Sequence, residues 1–256
     1  DPLWKQYVDW VGRTLRGDLG VSLARDRAVT ELLRGKIGAT VQLAIGSWIF
    51  AIGLGIPMGV LAAVKRGSGW DYFGRGLAIV GQAAPPFVTA LVAIWIFAVW
   101  LEWLPAGGRS PEFNWREYLL PCMALGWGAA ASLMRLTRSS MLEVLDSEYI
   151  RLARAKGVNW NWVIYKHALR NALIVPVTSA LLTFSGWLNG ALVVEIVFSW
   201  PGIGYEALYR AVNDNDFPLL LGTVFIFILI YLVFATIADI AYTIIDPRVR
   251  LGDSAE

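Results

Sequence analysis

The sequence predicts an all-α fold, a polytopic bundle of helices built for lipid. Three observations carry this reading. Of 256 residues, 57% are hydrophobic and 16% charged, and the mean hydropathy is +0.54, too apolar for an ordinary soluble domain. The apolar residues gather into stretches long enough to cross roughly 30 Å of hydrocarbon at about 1.5 Å per helical residue. Thirteen tryptophans suit a chain with two lipid–water interfaces, where such rings anchor. A helix satisfies every backbone group within its own segment, so the apolar stretches are read as helices.

Residues 1–38 form a polar, external segment. Trp4, Tyr7, Val8, Trp10 and Val11 are spaced for one face of a short helix. Such a helix either covers the bundle, the favoured reading, or serves as an interfacial or docking segment. Gly17-Asp18-Leu19-Gly20 breaks it, and Val29 to Leu33 can start another short helix. The chain opens on Asp1 in a polar stretch with no apolar anchor, so a preceding segment is expected.

Five spans follow within a transmembrane region, 39–245: about Ala39–Val64, Gly74–Trp103, Tyr118–Ser140, Ala172–Phe198 and Phe217–Ile245. A tail, 246–256, completes the chain. Orientation comes from the basic residues between the spans. Lys65, Arg66, Arg75, Arg135, Arg138, Arg151, Arg154, Lys156, Lys166, Arg170, Arg248 and Arg250 lie in or beside connections on one side. Arg109, Arg116 and Arg210 lie on the other. Twelve against three places the first group in the cytoplasm. The N-terminal segment then falls outside despite its own seven basic residues, against the rule.

Within the spans, Ser47, Ala51, Gly55, Gly59 and Ala63 make an i+4 ladder of small residues, and Gly186 with Gly190 a shorter one. Ladders of this kind let helix backbones approach closely. Pro57, Pro85, Pro86 and Pro176 are expected to kink their helices. Polar residues in lipid are functional candidates. Gln82 and Asn189 are deep enough to line a pathway, although a hydrogen bond between helices is their more common use. Glu195 lies near the outer face and is a third pathway candidate. Arg135 and Asp239 lie close enough to the cytoplasm to snorkel or pair locally.

The longest polar interruption, Asp146 to Asn171, reads as a helix–turn–helix elbow. Asp146 or Ser147 can cap its first helix, and Glu148 suits the positive end of the helix dipole. Arg154 and Lys156 occupy the last turn, and Gly157 tolerates a left-handed stop. Trp160 to Asn171 then leads back into the membrane. One cysteine, Cys122, excludes an internal disulfide or a cysteine metal cluster, and His167 is the only histidine. No phosphate loop followed by Lys-Ser/Thr occurs, so ATP and Mg²⁺ have no P-loop site here. No catalytic dyad or metal site marks an intramembrane enzyme.

The elbow carries a resemblance. Glu148-Tyr149-Ile150 followed by Arg151-Leu152-Ala153-Arg154-Ala155-Lys156-Gly157 resembles the EAA loop of binding-protein-dependent ABC importer permeases. Arg151 stands where that pattern has Glu and Leu152 where it has its first Ala; Ala153, Gly157 and Leu169 match. His167 and Arg170 replace an Ile and a Pro. Ala153–Gly157 with His167–Ala172 is similar to the dipeptide/oligopeptide/nickel permease subfamily. So are Gly17–Gly20 with Ser22-Leu23, Glu195 through Phe198–Gly204, and Asp246–Leu251.

The resemblance implies a type I importer transmembrane domain, with a first span upstream of Asp1. It implies a second homologous permease, two cytoplasmic ATPases that hold ATP and Mg²⁺, and an extracytoplasmic binding protein; nucleic acid has no part. Glu148, Tyr149, Arg151, Ala153, Arg154, Ala155, Lys156 and Gly157 become the ATPase-coupling helix. Trp200, Glu206, Asp214 and Asp216 become candidates for contact with the binding protein. The expected cargo is a di- or oligopeptide, although relatives of this type also carry nickel chelates, glutathione and some sugars. The alternative is a secondary transporter or channel that works without an ATPase.

Overall fold

A computed structural model describes residues 2–245, apart from the side chains at 185, 187–189, 242, 244 and 245. The tail at 246–256, with Arg248 and Arg250, lies outside the described residues. Helix α1 is Leu3–Leu15. Its apolar face does not cover the bundle as expected, because Leu3, Trp4, Tyr7, Val8 and Leu15 are exposed. Helix α2 runs Val29–Val64 without a break, so the short helix anticipated at Val29–Leu33 is its first turns. Its 36 residues extend about 54 Å, longer than the bilayer core is thick.

Helix α5, Trp115–Leu145, is the central partner of α2. The reason lies in the small-residue ladder, every rung of which is buried. A β-carbon at Gly55 would sit 2.6 Å from the Ala130 carbonyl oxygen, and one at Gly59 would sit 2.6 Å from that of Met134. Gly126 of α5 returns the approach against the Ser47 carbonyl. Close backbone contact replaces side-chain interlock, as befits helices that gain nothing by hiding apolar surface from lipid.

The expected second span is broken. Helix α3, Gly69–Ala83, and helix α4, Pro86–Trp100, meet at 113°. Pro85 and Pro86 lack N–H groups and clash with the preceding turn, and the residue before a proline avoids helical geometry. Ala84 obeys that rule with an extended backbone. Pro57 sits inside α2, which continues past it. Pro176 falls in the first turn of helix α8, Ile174–Val197, where a missing N–H removes no helical bond.

Between α5 and α8 lie helix α6, Glu148–Ala155, and helix α7, 160–172, whose middle, Val163–Ala168, is π-helical. Helix α9, 204–213, follows α8 on the outside, and helix α10, Phe217–Ile245, packs on α8 and α2. Among these, α2, α5 and α10 are long and apolar enough to cross a membrane, and α3 with α4 makes a fourth crossing if the bent pair is one span.

One pairing beside the start of α3 holds α3 to α5. Asp71 is 1% exposed and takes two hydrogen bonds from Arg138, from Nε at 2.7 Å and Nη2 at 3.1 Å. Arg75 approaches at 3.4 Å, and the Gly67 amide donates at 3.0 Å. Removing one partner strands the other charge in a poorly solvated site. Asp71→Ala is expected to lower unfolding stability by about 3 kcal/mol, read by thermal unfolding in detergent. Asp71→Ala with Arg138→Met is expected to recover much of that loss.

Candidate functional site

The elbow is seated on one end of α2 and α5. Ile150 of α6 is fully buried, and Ala153 packs beside it one turn on. Beneath them lie Val163, Ile164, Ala168 and Ala172 of α7, Met141 of α5 and Ala63 of α2. Burying Ile150 is worth about 1.5–3 kcal/mol, so the elbow is fixed to the bundle rather than hung from it. The amide of Asn171 donates to the Tyr149 hydroxyl at 3.0 Å, which joins the two arms. Ser147 occupies the N-cap position, but its hydroxyl donates to the Val144 carbonyl instead of accepting from the helix.

The stop at Gly157 follows from its backbone. Its φ of +78° lies in the left-handed region, which a side chain penalises and glycine does not. Its amide donates to the Arg154 carbonyl at 2.9 Å and that of Val158 to Ala153 at 3.2 Å. This pair of bonds is the Schellman closure, and contact between Val158 and the inner face of the helix accompanies it.

With Ile150 turned inward, α6 leaves the opposite face open: Glu148, Tyr149, Arg151, Leu152, Arg154, Ala155 and Lys156 are all exposed. Arg151 donates to Glu148 at 2.8 Å, and the Arg154 guanidinium lies 4.9 Å from the Trp160 ring. Leu152, 56% exposed, is the residue that sequence reasoning passed over. An exposed leucine flanked by cations offers an apolar anchor that charge counting ignores.

On the outer face, two candidates prove to be internal. Glu195 is fully buried, not open to a pathway. Its carboxylate accepts from the Thr40 hydroxyl at 2.6 Å, the Gly204 amide at 2.7 Å and the Tyr205 amide at 3.1 Å. Thr40 accepts in turn from the Ile203 amide at 2.9 Å. Trp200, proposed to meet the binding protein, is equally buried. Its indole donates to the Ala39 carbonyl at 3.0 Å, and its ring meets Tyr118 edge-on at 4.8 Å. The Trp200–Tyr205 loop is therefore clamped to α2. Thr40 was not singled out in the sequence, because a threonine in an apolar stretch carries no signal by itself.

Asp216 is likewise corrected from contact to latch. It is 1% exposed and accepts from the Ser22 hydroxyl and from the amides of Leu23, Ala24 and Leu219. It thus ties the N-terminal loop to the start of α10. Burial works to raise its carboxyl pKa, but these donors outweigh burial and hold it below the usual carboxylate range. A depressed folded pKa stabilises above the unfolded value, and the gain is lost as pH falls through the folded one. The latch is expected to hold at neutral pH, to begin to weaken near the ordinary carboxylate pKa of about 4, and to fail as pH falls through the lower folded value. Proteolysis of the 16–28 loop across that window checks this, and Asp216→Asn is expected to flatten the response.

Glu206 is held by Arg210 at 3.1 Å and Lys36 at 3.7 Å. Asp214 remains exposed, 4.0 Å from Arg25. Gln82 is exposed on α3, and its amide faces the Ser132 hydroxyl of α5 at 3.4 Å. The pair lies beside the α3–α4 break, on a cleft of ≈ 580 Å³. Gly186 and Gly190 line the same cleft; Gly190 packs closely on α5, where an added β-carbon would lie 3.2 Å from Leu125, while Gly186 has open space beside it. Asn189 lies on α8, but its side chain falls outside the described residues.

A bundle of membrane-length helices with one broken span and a separate elbow anchored on it defines a class: a multi-pass helical membrane protein. The model of the family described as binding-protein-dependent transport system inner membrane component matches residues 55–251. The chain belongs to that family; it is an inner-membrane permease subunit of an ABC importer. Relatives agree. The glutathione transport system permease protein GsiC of Salmonella typhimurium is 39% identical over 249 residues, covering 97% of this chain and 80% of that one. The dipeptide transport system permease protein DppB of Alkalihalophilus pseudofirmus is 38% identical, covering 98% and 82%. An inward-facing structure of the MetNI methionine ABC transporter matches with a TM-score of 0.69 at 18% identity, covering 84% of this chain and 96% of that chain. At that identity the likeness shows the fold alone.

Proposed function

We propose that this permease forms half of a pathway for di- or oligopeptides, the other half coming from a second, homologous permease. Two ATPases dock at the elbows, and a binding protein delivers the solute from outside. ATP and Mg²⁺ sit on the ATPases, and this chain makes and breaks no bonds. ATP-driven closure of the ATPases draws the elbows together and opens the cavity outward; hydrolysis resets it.

The observation that carries the reading is α6, with one face fixed on α2 and α5 and the other free. Leu152 supplies an apolar anchor, Arg151, Arg154 and Lys156 supply charge-assisted donors, and Ala155 permits close approach. Gly157 ends the helix so that a push on α6 reaches the bundle as a turn. The peptide assignment is supported by the relatives named for glutathione, itself a small peptide, and for dipeptides. On the outside, Asp214 is the exposed acidic candidate for the binding protein.

The test is uptake of a labelled dipeptide into proteoliposomes that hold both permeases and both ATPases. Uptake is expected to require ATP and the loaded binding protein. Uptake driven by an ion gradient without ATP would instead support a secondary transporter.

A further inference from the structure

Gly81 and Gln82 lie in the last turn of α3. In an unbroken helix their carbonyls would accept from the residues four places on, which are Pro85 and Pro86, and neither has an N–H. Gln82 and Ser132 each lie 13 residues from the cytoplasmic end of their helix, counting Gly69 to Gln82 and Ser132 to Leu145. That distance is ~20 Å, well inside the membrane. Both side chains are exposed in the cleft, and polar groups at that depth face water or a partner rather than lipid. Gly128 faces the Gly81 carbonyl oxygen, where even an added β-carbon would lie 3.5 Å away. The cleft wall thus carries acceptors: the Gln82 carbonyl that Pro86 cannot serve, the Gln82 amide oxygen, and the Ser132 hydroxyl, which donates to the Gly128 carbonyl at 3.1 Å and keeps a lone pair beside the one that faces the Gln82 amide nitrogen.

A second cavity, ≈ 310 Å³, meets the first at Gln82 and is lined by Arg75, Arg135 and Arg138. Asp71 engages Arg75 and Arg138. Arg135 is exposed and has no ion pair among the described residues. It sits three residues beyond Ser132, ~5 Å along α5. An acceptor-rich wall beside a free cation matches an ammonium at one end and a carboxylate at the other. Two extended residues span roughly 7 Å.

We infer that the α3–α4 break and Arg135 form a transit subsite for a zwitterionic peptide main chain. The unserved Gln82 carbonyl, the Gln82 amide oxygen and the Ser132 hydroxyl take the N–H end, and Arg135 takes the carboxylate. Because backbone and termini are read, side chains are not selected. The inference rests on the peptide-importer reading above.

The probe is dialanine, delivered by saturating loaded binding protein to the reconstituted complex. Arg135→Gln is expected to lower its maximal uptake rate about tenfold, as befits a lost charge-assisted bond. Arg135→Lys is expected to restore most of it, a rescue that a packing role would not give. In a Cys122→Ala background, the thiol introduced by Ser132→Cys is expected to react several-fold more slowly with a thiol reagent when dialanine is passing through. The subsite is overturned if Arg135→Gln runs at the full rate or if that labelling ignores dialanine. Uptake by the unaltered complex is measured alongside; its absence strikes the peptide-importer reading itself.

Discussion

Glu195→Ala is expected to unseat the outer loop and to lower unfolding stability by about 4 kcal/mol. The substitution removes an acceptor that serves the Thr40 hydroxyl and the amides of Gly204 and Tyr205. Each buried donor left without a partner costs about 1–3 kcal/mol, and access to external water relieves part of the sum. Glu195→Gln keeps one acceptor oxygen but turns an N–H₂ toward donors, and about half the loss is expected. Gly202 offers an independent route to the same clamp. A β-carbon there would overlap the Glu195 carboxylate, so Gly202→Ala is expected to cost about 2 kcal/mol through overpacking. Thermal unfolding in detergent reads all three. If Glu195→Ala melts with the wild type, the carboxylate does not clamp the loop.

Gly157→Val is expected to reduce ATP-driven uptake at least tenfold while leaving the protein folded in the membrane. The native φ of +78° costs an ordinary residue about 1–2 kcal/mol, and branching at the β-carbon makes it worse. That strain is too small to unfold the bundle. It is large enough to displace the end of α6, whose Schellman bonds depend on the left-handed turn. Asparagine enters this region more readily, so Gly157→Asn is expected to retain most uptake. Comparing uptake with protein recovered in the membrane separates lost coupling from lost folding.

The elbow was legible because its signals are local. A dipole-matched Glu148, cations in the last turn and Gly157 define a helix and its stop without reference to the rest of the chain. The α2 ladder was legible for a similar reason, since spacing by four repeats along one segment. The shorter pair shows the limit of that argument: Gly190 meets Leu125 of α5, but Gly186 has no neighbour, because a small residue marks a close approach only where another helix occupies the space. The spans erred where proline acts over distance. Pro85 and Pro86 signal a kink, but hydropathy cannot tell a kink from a 113° break. The outer face was misread because Glu195, Trp200 and Asp216 lie in or beside a polar loop. Their partners Thr40, Ala39 and Ser22 are 155, 161 and 194 residues away, a separation that no local pattern spans. Asp71 escaped for the same reason, its partner Arg138 being 67 residues distant.

The central claim is that the outward face of α6 docks an ATPase. It is tested most directly by purifying the permease complex through a tag on this chain. The ATPase is expected to come down with the native chain in stoichiometric amount. It is expected to be lost when Arg151 and Arg154 are both replaced by glutamate, a change confined to exposed side chains that leaves Ile150 and the packing beneath it untouched. Retention of the ATPase by Arg151→Glu/Arg154→Glu, with uptake intact, would contradict the claim.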